Sequence, residues 1–102
     1  MDKSVYQKAI DKWGEYAQYD QMIEEMSELT IAISKFKRYK LGEKYLGKDE
    51  VLNNLYEELA DVRLCLHQLE YMFGEENVDK AFQKKFDKFM QQLNGTYKKE
   101  DK

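Results

Sequence analysis

Three observations predict an all-α fold, a four-helix bundle. The chain has no proline and only five glycines in 102 residues, so few positions stop a helix. Apolar residues recur at three- and four-residue spacing through long stretches, the pattern of one buried helix face. Charged residues make up 36% of the chain and hydrophobic ones 42%, a balance that suits helices packed on one side and wet on the other.

The elements follow in order. Ser4 with Gln7 three residues later is a capping-box signature, and Val5, Ala9 and Trp13 then recur at helical spacing up to Gly14, which ends or kinks the first helix. A second helix is expected from between Glu15 and Gln18 to about Tyr39, with Met22, Met26, Leu29, Ile33 and Phe36 as its apolar stripe. Residues 40–49, with Gly42, Gly47 and a Tyr45-Leu46 patch, read as a connecting loop that is long for a bundle. Asp49 is the expected N-cap of a third helix running to Gly74 on the stripe Leu55, Leu59, Val62, Leu66, Leu69 and Phe73. A fourth helix, Asn77 to Leu93, shows Val78, Phe82, Phe86, Phe89 and Leu93 and closes at Asn94-Gly95. One domain over residues 1–95 is expected, with a charged, frayed tail over 96–102.

Bulk properties narrow the function. A net charge of −3 argues against nucleic acid as a partner. A single cysteine, Cys65, cannot form an internal disulfide, and no apolar run reaches membrane-spanning length, so a cytoplasmic protein with no membrane partner is expected.

Two acidic stretches interrupt the core pattern. Ile23–Leu29 holds Glu24, Glu25 and Glu28; Tyr56–Val62 holds Glu57, Glu58 and Asp61. Sliding one helix along the other until Glu25 meets Glu58 also sets Met22 on Leu55, Glu28 on Asp61, Leu29 on Val62 and Ile33 on Leu66. Measured from the stripe centres, Glu25 and Glu58 fall about 60° away and Glu28 and Asp61 about 120° away, with Glu24 and Glu57 farther out. Each helix therefore offers two acids on one shoulder of its stripe. Acidic pairs on helices are ordinarily just solvated, but a matched set on two core helices is not ordinary. If the shoulders converge, four carboxylates repel one another unless a cation lies between them. Oxygen ligands without histidine or cysteine favour Mg²⁺, with Mn²⁺ as a substitute. Because Mg²⁺ is usually held by carboxylates together with substrate phosphates, phosphoryl chemistry is implied. A di-iron bundle would need Glu-x-x-His motifs, and the only histidine, His67, is misplaced for one.

Glu24-Glu25-Met26-Ser27-Glu28 followed by Glu58-Leu59-Ala60-Asp61 resembles the EExxE…ExxD pattern of the all-α NTP pyrophosphatase superfamily, and the chain is most similar to its MazG-like branch. The resemblance spans about residues 5–93 and includes Lys12-Trp13-Gly14 and Gln18 ahead of the acids. The stretch between Glu28 and Glu58 lies at the upper end of the family's spacing. The resemblance implies Mg²⁺-dependent hydrolysis of a nucleoside triphosphate between the α and β phosphates, a nucleotide-pool house-cleaning activity, in a homodimer or homotetramer. It further implies Glu25, Glu28, Glu58 and Asp61 as metal ligands, and Glu24 as an outer acid that binds a further metal or orients water. Glu25 is the first choice among the acids for the base.

Other positions complete the expected site. Lys35 lies on nearly the same helical line as Glu28, and Arg38, Lys84 and Lys88 are further candidates for phosphate binding, against a solvated role for each. Trp13 and Gln18 are candidates for a base pocket, by stacking and amide hydrogen bonding, with a core or interface role equally open for Trp13. Cys65 reads as packing and His67 as facing away from the acids. Two alternatives stand beside this reading. One is a phosphoribosyl-ATP pyrophosphohydrolase-like enzyme, although the histidine that family places soon after the aspartate is missing. The other is a non-catalytic, nucleotide-binding helical oligomer acting as a sensor.

Overall fold

The computed structural model describes residues 2–43 and 46–96. All secondary structure among them is helical: α1 Ser4–Trp13, α2 Glu15–Lys40, α3 Lys48–Phe73 and α4 Glu75–Leu93. None of these helices is long and apolar enough to cross a membrane. The chain divides into two compact units, residues 1–71 and 72–102.

In the first unit α1 begins one turn-residue differently from the capping-box expectation. Ser4 is already helical and Lys3 holds the cap position without a side-chain bond, while the Asp2 carboxylate accepts from the Ser4 main-chain N–H and hydroxyl, both at 2.9 Å. Gln7 instead donates to Asp11 at 2.9 Å. Gly14 separates α1 from α2 alone, at φ 92° and ψ 164°. That conformation is open to glycine and strained for any other residue, so one residue suffices to redirect the chain. Tyr6, 5% exposed, ties α1 to α3: its carbonyl accepts from Gln68 Nε2 at 3.0 Å and its ring lies 5.7 Å from that of Tyr71. Asp49 sits inside the first turn of α3 rather than at its cap, because the helix starts at Lys48. There its charge still complements the helix N-terminus.

The buried face of α2 is rotated from the expected stripe. Met22, Glu25 and Ala32 are buried with Leu29 and Phe36 half-buried, whereas Met26 and Ile33 are about half exposed. On α3 the inward line includes Val51, Leu55, Glu58, Val62, Cys65 and Leu69, while Leu59 and Leu66 face solvent. The shift has a physical origin. Ala32, fully buried, contributes little apolar weight to a sequence pattern, yet its small size permits close approach. Glu25, about 60° from the centre of the apolar stripe, occupies the core line itself.

The second unit contains α4, which begins at Glu75, earlier than the expected Asn77. Gly74 at φ 99° precedes it as Gly14 precedes α2. Phe82, Phe86, Phe89 and Leu93 form an exposed line, with ring centroids 6.2 Å apart for the first pair and 6.5 Å for the second. Thr96 closes the helix through its N–H and hydroxyl to the Gln91 carbonyl. Lys44, Tyr45 and the tail from residue 97 lie outside the described residues.

Candidate metal centre and adjoining cavity

The rotation of α2 has a direct consequence for the acids. Glu25 faces the core line of α3, and one carboxylate oxygen each from Glu25, Glu58 and Asp61 lie within 4.8 Å of one another. Glu25 is 8% exposed, and its Oε1 accepts from Gln21 Nε2 at 2.8 Å. Among the described residues no partner meets the buried Oε2 of Glu25 or the buried Oε2 of Glu58. Two buried carboxylate oxygens without a donor are costly, since burial removes water and nothing replaces it.

The electrostatics record that cost. Burial first, then the charges of Glu28, Asp61, Glu58 and Glu24, push the Glu25 carboxyl above its ordinary 4.5. Burial also leads for Glu58, followed by the charge of Glu28, a hydrogen bond with Glu28, and the charges of Asp61 and Glu57. Glu28 thus stands beside both buried acids, and Glu24 acts on Glu25 only as a nearby charge from an exposed position. Cys65, one turn beyond Asp61, has its thiol pushed up by burial and by Glu25 and Asp61. A divalent cation among these oxygens would reverse the local logic, because it stabilises the ionised carboxylates. The donor set is all oxygen and fits a hard cation.

Glu25 and Asp61 also line a cavity of about 570 Å³ together with Trp13, Gln18, Gln21 and Cys65. The volume is in the range of small-molecule sites. A second, largely apolar cavity of about 240 Å³ shares Trp13, Gln18, Gln21 and Cys65 with it and extends to Tyr6 and Gln68. Lys12 Nζ sits 5.1 Å from the centroid of the Trp13 ring.

Among the remaining expected residues, those of the first unit lie elsewhere. Lys35 lines a separate cavity of about 470 Å³ with Asn53, Asn54 and Glu57. The guanidinium of Arg38 donates to Glu43 at 2.9 Å, at the C-terminal end of α2. Lys84 and Lys88 are exposed on α4, in the second unit. His67 is exposed. Sequence reasoning missed Gln21 and Gln68. Gln21 had a signal, since it stands one helical turn before Glu25; Gln68 had none, because its partner lies on another helix. Comparison with protein-family models, with curated proteins and with solved structures finds no match to this chain.

Proposed function

We propose that the protein is a Mg²⁺-dependent nucleoside triphosphate pyrophosphohydrolase of the MazG-like kind, a four-helix, oligomeric enzyme releasing pyrophosphate from a (d)NTP. The observation that carries the reading is the pair of buried carboxylate oxygens, on Glu25 and Glu58, that no described donor meets, beside Asp61 and at the edge of a ligand-sized cavity. A structural role for these acids would bring donors to them. A metal role explains why these two oxygens are kept without one.

Glu25, Glu28, Glu58 and Asp61 would hold the ion, which would supply charge neutralisation to the phosphates and polarisation of their oxygens. The chain's own groups do the rest. Gln21 holds Glu25 Oε1 and leaves the buried Oε2 free for the ion. Glu25, the most buried of the acids, is the first choice for the group that takes a proton from water. The reaction adds a water oxygen to phosphorus, breaks the α–β bridge and sends the bridging oxygen out on pyrophosphate. The wall of Trp13 and Gln18 receives the nucleoside end.

The test is product analysis on a panel of ribo- and deoxyribonucleoside triphosphates with Mg²⁺. Equal amounts of monophosphate and pyrophosphate are expected, and Asp61→Asn or Glu28→Gln should lower the rate about 100-fold or more. No turnover anywhere on the panel, or orthophosphate as the product, would sink the reading.

A further inference from the structure

In the smaller cavity Gln18 offers an acceptor only. Gln18 Nε2 donates to two main-chain carbonyls, Ala9 at 3.4 Å and Gly14 at 3.2 Å. An amide nitrogen has two hydrogens, so both are engaged and only Oε1 remains, as an acceptor. Gln68, 8% exposed, donates its Nε2 to the Tyr6 carbonyl at 3.0 Å. Gln21 donates Nε2 to Glu25. All three glutamines line this cavity; Gln18 has both amide hydrogens engaged, while Gln21 and Gln68 each keep one. The rest of the wall is mainly apolar, with the Trp13 indole common to this cavity and the one that reaches Glu25 and Asp61.

Resting on the nucleotide reading above, we propose that this cavity takes a nucleobase carrying an exocyclic amine, and that Gln18 Oε1 is the acceptor that selects it. Cytosine, adenine and guanine each present an amine with two hydrogens to amide oxygens. The ring N–H of uracil or thymine is flanked by two carbonyl oxygens, and that of hypoxanthine by one. Such an oxygen set against Gln18 Oε1 would have no hydrogen between the two. A site whose polar groups are left unpaired rejects the analogue more strongly than an apolar pocket rejects a change of shape. Stacking on Trp13 holds any base and makes no such choice.

Trp13 is the only tryptophan, so intrinsic fluorescence reports directly on this wall. The purified chain is titrated, without metal, with CMP, UMP, AMP and IMP. CMP and AMP are expected to quench Trp13 and to bind about tenfold more tightly than UMP and IMP respectively. N4,N4-dimethyl-CMP, which keeps the ring and loses the N–H groups, should bind like UMP. Gln18→Met, checked for fold by circular dichroism, should close the gap within each pair. Equal or tighter binding of UMP or IMP, or no quenching by any nucleotide, would overturn the proposal. Pyrophosphate release, measured separately, keeps the two ideas apart. Equal turnover of CTP and UTP contradicts base selection and leaves the hydrolase standing, while amine-selective binding without any release does the reverse.

Discussion

Glu25 is the residue on which the site turns. It lies on the buried line of α2, where a helix of this pattern would ordinarily place a leucine or methionine, and one of its oxygens has no donor among the described residues. Its carboxyl and that of Glu58 are both raised above 4.5, chiefly by burial. A raised carboxyl binds its proton more tightly in the folded chain than in the unfolded one. The resulting stability is present at acid pH and is lost as pH rises through the window above 4.5. The metal-free protein should therefore become more stable as pH falls from about 7 toward 5, the opposite of a salt-bridged carboxylate. Thermal midpoints in EDTA across that range test the sign, and a midpoint that falls on mild acidification contradicts it. The acids themselves were legible in the sequence as a matched pair of motifs. Their depth was not, because a charged side chain is assigned to a shoulder by pattern alone, and only packing shows that Ala32 draws the neighbouring face inward.

At the scale of elements, two single glycines define where helices stop. Gly14 holds φ 92° with open space around an added Cβ, so Gly14→Ala tests backbone strain without a clash. A cost of about 1–3 kcal/mol is expected. For a domain of this size that lowers the thermal midpoint by about 4–8 °C per kcal/mol. An unchanged midpoint would mean that the α1–α2 break does not depend on this conformation. The helices also leave apolar lines uncovered. Met26 and Ile33 on α2, and Leu59 and Leu66 on α3, are each about half exposed and seven residues apart, the spacing of a helix–helix seam. The sequence pattern counted these residues as core together with Leu29 and Val62. The structure separates them into an inward line and an outward line, and a single chain covers only the first. A second copy of the chain on the outward line is the expected assembly. Ile33→Glu or Leu66→Glu should then convert the purified oligomer to monomer in sedimentation velocity, and a wild-type chain that sediments as a monomer at all concentrations rules the assembly out.

At the scale of the whole molecule, the number of helices and most of their limits were legible from glycine placement and three–four periodicity. The cavity was not. Its wall gathers Trp13 from α1, Gln18 and Gln21 from α2 and Cys65 and Gln68 from α3, and no local pattern relates residues so far apart in the chain. The proposed phosphate ligands show the same limit from the other side. Lys35 shares a helical line with Glu28 but opens onto a different cavity, because a line along a helix says nothing of what stands opposite. A metal clamp carried by α2 and α3 is tested most directly by metal-linked stability. The thermal midpoint of the wild-type chain and of Asp61→Asn is measured at neutral pH against increasing Mg²⁺. An ion that binds the folded state alone stabilises it by about 2.7 kcal/mol at a hundred times its Kd. The wild type should therefore rise steadily with Mg²⁺ while Asp61→Asn stays nearly flat; an equal rise in both, or none in the wild type, would contradict the clamp.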